Sequence, residues 1–197
     1  MWTMELFGTD LYHLIAAFIV YSMLGWLVES VYMSFCNKEL TNRGFTKSPF
    51  CPIYGFGAVA GYLVLSPLGG QYMKLYVTGA FLATVFEYLV GKLMIHIFGE
   101  LWWDYHNKPF NFRGIICLES TVAWGFYALI VVTFLHQRIY ELIDGVPYTV
   151  GSRMIVVILA VVAIDFSVQL LHALKVDIKE KRAWLIEQCH LFKARWY

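Results

Sequence analysis

Four carboxylates stand inside apolar runs of this sequence: Glu29 in YSMLGWLVES, Glu87 in FLATVFEYLV, Glu119 in IICLES and Asp165 in VVAIDFSV. Two further stretches, NRGFTKSPFCPIYG (42–55) and FNFRGIICLES (110–120), bring Arg43 and Arg113 to the mouths of such runs. An acidic side chain near the middle of a bilayer costs about 2.5–3.5 kcal/mol even on insertion scales, so it is paired, protonated or facing water. Glu87 and Asp165 fall near the centres of their runs, and Glu29 and Glu119 closer to the ends where the arginines enter. The pattern predicts that Arg43 and Arg113 fold back against Glu29, Glu87 or Glu119. Such a cluster is either an ion-pair network that fixes helix register or a ligand or ion site.

The ligand chemistry stays open at this level. Two runs begin just after an Arg-Gly pair, so positive helix ends and guanidinium groups would converge, which suits an anion, a phosphate or a lipid head group. The carboxylates suit a cation or proton coupling, and a substrate carrying both signs suits both sets. The candidate ligand-binding residues are Glu29, Asn42, Arg43, Glu87, Asp104, Asn111, Arg113 and Glu119. In the connector GELWWDYHNKPFN, Trp102, Trp103 and Tyr105 read as interfacial anchors. Helical spacing would not hold Asp104 and His106 face to face. Ser22, Gly25 and Trp26 read as packing around Glu29, and His13, His96 and His172 as interfacial or core residues. Cys36, Cys51, Cys117 and Cys189 make no CxxC or CxxxH pair, so neither a metal site nor a cofactor is expected. Cys51 and Cys117 are either small apolar residues at a helix entry or thiol nucleophiles.

These residues have to be held by membrane helices. The 197 residues are 59% hydrophobic and only 15% charged, with a mean hydropathy of +0.60, where soluble domains are about a quarter charged. Five apolar runs carry the excess: Leu11–Phe35, Pro52–Leu68, Leu75–Phe98, Ile115–Leu135 and Met154–Leu174. Crossing the bilayer takes about 20 helical residues, which the second run barely supplies. Because lipid offers the backbone no hydrogen bonds, the runs are expected to be helices. The expected fold is thus all-α and polytopic, with five transmembrane helices in residues 11–174 and an amphipathic tail, 175–197, on the cytoplasmic leaflet. The first run is too long and too acidic in front (Glu5, Asp10) for a cleaved signal peptide.

Of the 15 Lys and Arg residues, only Lys74, Arg138 and Arg153 fall on the side that also holds the N-terminus. The positive-inside bias therefore predicts an outside N-terminus and an inside C-terminus. All four cysteines then face the cytoplasm, where free thiols are the rule. In this topology the first four helices form two parallel hairpins. Each has a glutamate in its first helix (Glu29, Glu87). Each inner loop then gives Asn, Arg-Gly and a cysteine: Asn42, Arg43, Gly44 and Cys51, and again Asn111, Arg113, Gly114 and Cys117. Repeats of this kind build transporters with sites at the repeat interface. The second helix is short and bracketed by Pro52 and Pro67, and its Gly57 and Gly61 have the small-xxx-small spacing of close helix packing. It is either a tightly packed central helix or a broken one lining a pathway.

In order along the chain, GWLVES, NRGF, CPIYG, FEYLVG, WWDY, FN-x-RG and ICLES resemble the type-IV ABC-transporter permease family of bacterial membrane proteins. The resemblance runs from about Tyr21 to Gly125 and implies a multi-pass permease of the plasma membrane. Its motif positions here include Glu29, Asn42, Arg43, Cys51, Tyr54, Glu87, Trp103, Asp104, Tyr105, Asn111, Arg113 and Cys117.

Three functions are compatible with these residues. The first is a permease for a small polar or charged solute or ion. Five helices are few for a lone carrier, so a homodimer or complex is expected, with membrane lipids around it and, if it is of ABC type, a separate ATPase chain. The sequence itself has no GxxxxGK[ST]. The second is an enzyme of the inner leaflet using Arg43, Arg113 and a thiol, and the third a non-catalytic scaffold or sensor. A net charge of +1 spread along one membrane face gives no support for nucleic-acid binding.

Overall fold

Local chemistry at the ends of each apolar run sets where the helices begin and stop. The computed structural model describes residues 4–6, 8–42, 47–99 and 101–173. A two-residue antiparallel ribbon, β1 (Glu5–Leu6) with β2 (Thr9–Asp10), precedes the first helix. Asp10 then caps α1 (Leu11–Asn37), its carboxylate accepting from the His13 backbone N–H at 2.8 Å. Opposed by its partial burial, this bond and the His13 side chain together hold the Asp10 carboxyl below its usual range. Helix α2 (Pro52–Leu65) starts with proline in its first turn, where a missing N–H costs nothing, and runs into a single 3-10 turn, Ser66–Leu68. Helix α3 (Tyr72–Phe98) stops at Gly99, which takes the left-handed conformation and closes on Ile95.

The fourth run is longer than expected. Helix α4 (Leu118–Ile130) passes through one π turn, Val131–Leu135, directly into α5 (His136–Asp144), making one apolar rod of 27 residues. Helix α6 (Tyr148–Ala173) follows Pro147. Among the described residues the structure is all-helical apart from the ribbon, and four helices are long and apolar enough to cross a membrane: Leu11–Asn37, Tyr72–Phe98, Leu118–Asp144 and Tyr148–His172. The expected tail, 175–197, lies outside the described residues.

The second run does not match the other four. At 14 residues α2 is about 21 Å long, short of the ~30 Å hydrocarbon core. It also starts deep: the Cys51 N–H donates to the Ser22 carbonyl in the middle of α1 at 3.0 Å, and Phe50 and Cys51 are both buried. Non-helical backbone at that depth is tolerated only inside protein, which is where this segment sits.

Helix α1 is the centre of the bundle. Tyr12, Ala16, Ala17, Ile19 and Tyr21 pack with Phe50, Ala58, Val131, Ile139 and Ile155 in one core. Helix α6 is peripheral, with 6% of its most apolar stretch buried against 39% for α1. His13 links the two chain directions at one end, its ring nitrogens 2.9 Å from Asp10 and 2.9 Å from Asp144. At the other end the backbone N–H of Ser48 donates to Asp165 at 2.7 Å.

Close helix approach is made by different glycines from those the spacing singled out. A Cβ at Gly55 would lie 2.6 Å from the Phe18 carbonyl oxygen, so α2 rests directly on the α1 backbone there. Gly61 has nothing within 4 Å, and Gly57 meets only the Phe86 ring, at 3.4 Å. These two leave space instead of closing it. Gly55→Ala should therefore lower the thermal midpoint of the solubilised protein, by the equivalent of about 1–3 kcal/mol. Gly61→Ala should leave it unchanged or slightly raised; equal losses in the two variants would contradict this packing.

Candidate functional site

The space left by Gly57 and Gly61 opens into a cavity of about 320 Å³ between α2, α3 and α4. Most of its wall is apolar, with Ala60, Leu82, Ala83 and Val132 among the lining residues. Polar groups gather at Glu29, Tyr54, Glu87, Tyr105 and Trp124. The volume lies at the lower end of the roughly 300–1,000 Å³ found for small-molecule sites, and such sites combine apolar walls with a few placed polar groups.

Glu87 is 5% exposed and carries three hydrogen bonds. The Tyr105 hydroxyl donates to Oε1 at 3.1 Å, and the Ser120 hydroxyl and the Trp124 indole N–H donate to Oε2 at 3.2 Å and 3.0 Å. All three donors are neutral. Ser120 and Trp124 are one turn apart, on one face at the start of α4, where the positive end of the helix also favours a carboxylate. That start is fixed by a capping box: the Cys117 sulfur accepts from the Ser120 N–H at 3.4 Å, and the Ser120 hydroxyl accepts from the Cys117 N–H at 3.3 Å. Tyr105 comes from the connector, which is folded back by Tyr105 N–H to Gly114 O at 3.0 Å and Trp103 Nε1 to Ile115 O at 2.8 Å. Burial, and after it the charge of Glu87, push the Tyr105 phenol above its ordinary range, with Glu29 adding to the same direction.

The first hairpin shares one element of this arrangement. Tyr54, hydrogen-bonded to Glu29, stands three residues after Cys51, the N-cap of α2. Ser120 stands three residues after Cys117, the N-cap of α4. In both hairpins, then, a glutamate of the long helix is met by the third residue of the following one. Both cysteines are buried at these caps, 8% and 3% exposed, and Cys117 is occupied in capping.

The other candidates lie elsewhere. Arg113 is exposed, with its guanidinium over the Phe112 ring at 5.4 Å, and it does not line the cavity. The stretch FNFRG is a turn: Asn111 accepts from the Gly114 N–H at 3.2 Å and donates to the carbonyls of His106 and Lys108, while Arg113 and Gly114 both have positive φ. Glu119 is exposed and pairs with Lys108 at 2.9 Å. This bond, before the charge itself, holds the lysine above its ordinary range. Asn42 accepts from the Trp26 indole at 2.7 Å. Arg43 lies outside the described residues. Asp104 and His106, which helical spacing would keep apart, do meet, because the connector is not helical: Asp104 accepts from the His106 backbone at 2.8 Å and from its ring at 2.5 Å. The backbone bond first and the ring bond second hold the Asp104 carboxyl below its usual range.

Ser120 and Trp124 escaped the sequence reading, although their i, i+4 spacing after Glu119 was visible. His136 escaped it as well. It is 4% exposed just past the π turn, hydrogen-bonded through Nδ1 to the Tyr21 hydroxyl at 3.1 Å and stacked on Tyr62, a cavity residue. Among the described residues no group of three or more His, Cys, Asp or Glu is arranged to hold a metal.

The family model described as "Putative ABC-transporter type IV" matches residues 16–170. No curated protein and no solved structure matches the chain.

If neutral donors rather than arginine hold Glu87, Tyr105→Phe should destabilise the protein by about 1–3 kcal/mol. Arg113→Gln should stay within about 0.5 kcal/mol of the parent. Thermal midpoints of the purified variants decide this, and the reverse ranking would restore the arginine to the cluster.

Proposed function

The chain belongs to the type-IV ABC-transporter family, and from that premise we propose that it is a permease-like membrane protein for a small polar or charged solute or ion. The observation that carries the reading is the cavity between α2, α3 and α4, with Glu87 buried in its wall and Glu29 beside it. A carboxylate in apolar surroundings is costly, and intramembrane ionisable groups mark solute and ion pathways. The paired glutamates, each met by the third residue of a following helix, support two parallel hairpin repeats with the site at their interface.

In this reading α1, α3, the α4–α5 rod and α6 cross the cell membrane, and α2 enters from the cytoplasmic side, so that five helices share the bundle. The N-terminus is outside. Lipid-facing surface on α6 is available to a second copy or to another subunit, and coupling to ATP requires a separate ATPase chain. The candidate ligand-binding residues reduce to Glu29 and Glu87, with Tyr54, Tyr105 and Trp124 orienting them.

Transport is tested in vesicles from native cells, with and without ATP, using rubidium, methylammonium, phosphate and glycine as solutes. At least one should move faster in vesicles carrying the wild-type chain than in vesicles lacking it, and Glu87→Gln at matched membrane levels should abolish the difference. Unchanged movement in the variant would count against the reading. Orientation is tested on Cys36, which is exposed near the end of α1. In a Cys189→Ser background an impermeant maleimide should label inverted vesicles and spare right-side-out ones; the opposite pattern would reverse the topology.

A further inference from the structure

The cavity wall also specifies a ligand chemistry, and this step rests on the transport reading just given. Aromatic residues line the cavity on the side of the Glu87 carboxylate. Trp124 donates to it, the Tyr54 ring lies 6.1 Å from that of Trp124, and the Tyr127 ring lies 5.8 Å away, edge to face. Tyr105 donates from the connector, and Trp103 completes the lining at this end. No lysine, arginine or histidine lines the cavity among the described residues, and the three partners of Glu87 are uncharged.

Each class of solute meets this wall differently. An anion would lose its water facing the Glu87 carboxylate, whose partners among the described residues are all uncharged, a cost without compensation. A bare metal cation needs about six oxygen ligands or retained water, which a wall made mainly of Ala, Leu, Val and aromatic carbons does not provide. A neutral polar solute would leave the carboxylate and the ring faces without a matching charge. A cation with a hydrocarbon coat meets every part of the wall: its charge faces Glu87, its alkyl groups pack on Leu82 and Val132, and aromatic faces attract it through their quadrupoles.

We propose that the cavity binds small organic ammonium cations, with the charged nitrogen between Glu87 and the rings of Tyr54, Trp124 and Tyr127 and the alkyl groups on Leu82 and Val132. The full-length protein, solubilised in detergent, is titrated with butylammonium, butanol and butyrate, three solutes of similar size and different charge. Calorimetry and thermal midpoints are the readouts. Butylammonium should bind about tenfold or more tightly than butanol, and butyrate should not bind. Glu87→Gln should remove the preference for the amine over the alcohol, and Trp124→Leu should weaken amine binding while leaving the carboxylate in place. Should either variant fail to fold, the charge selectivity of the wild type still decides. Equal binding of butanol would identify an apolar groove for lipid chains and overturn the proposal. Preferred binding of butyrate, or no binding of any of the three, would overturn it too. Amine binding without any transport would keep the site and remove the permease reading. Glu87-dependent transport of an anion or a neutral solute would do the reverse.

Discussion

The hydrogen-bonded carboxylate of Glu87 is the constraint around which the second hairpin is organised. A carboxyl group inside an apolar bundle must find donors, and here they come from two places that would otherwise be independent. Ser120 and Trp124 fix the start of α4 against the middle of α3, and Tyr105 draws the connector back over both. The capping box at Cys117 sets the rotation that brings Ser120 and Trp124 onto the right face. Without the carboxylate the part-buried Trp124 indole and Tyr105 hydroxyl would lose this acceptor, whereas Ser120 would keep the Cys117 carbonyl at 3.0 Å. The first hairpin uses the same logic with Glu29 and Tyr54.

Space in the bundle follows from the glycines of α2. In water, apolar surface would drive these helices together; in lipid, shape and small residues decide how near they come. Gly55 lets α2 sit on the backbone of α1, which fixes the short helix in place. Its other glycines face away from that contact, and the volume they do not fill joins the room between α3 and α4. A tightly seated half-length helix and an open cavity are therefore two consequences of one sequence, GFGAVAG. The π turn at Val131–Leu135 belongs to the same region, since Val131 and Val132 line the cavity and His136 follows directly. Such turns are frequent at functional sites.

Much of this was legible in the residues. Apolar runs located the four long helices, two of them to within three residues at each end, because an apolar run of this length satisfies its backbone in lipid as a helix. Glu29 and Glu87 stood out because each is a charge in a run that should carry none, and both line the cavity. Arg113 misled because charge was read where geometry was at work; its Arg-Gly belongs to a turn pinned by Asn111. Trp124 was hidden because a tryptophan in an apolar run reads as packing, and only the depth of Glu87 beside it gives its N–H a role. The extension of the fourth helix to Asp144 was also hidden, since HQRIYELID looks like a polar stop until the π turn carries the rod through it. Helix α2 was readable as short, but not as starting level with the middle of α1, which depends on the Cys51 to Ser22 bond between distant parts of the chain.

The bond between Trp124 and Glu87 ties α4 to α3 at the cavity. A double-mutant cycle with Trp124→Phe and Glu87→Leu, each of which removes the bond, measured as unfolding free energies of the solubilised full-length protein, isolates it. A coupling of about 1.5–3 kcal/mol is the expected result for a hydrogen bond to a buried carboxylate. Losses that simply add, to within about 0.5 kcal/mol, would mean that the indole does not hold the glutamate, and the site built around it would have to be abandoned.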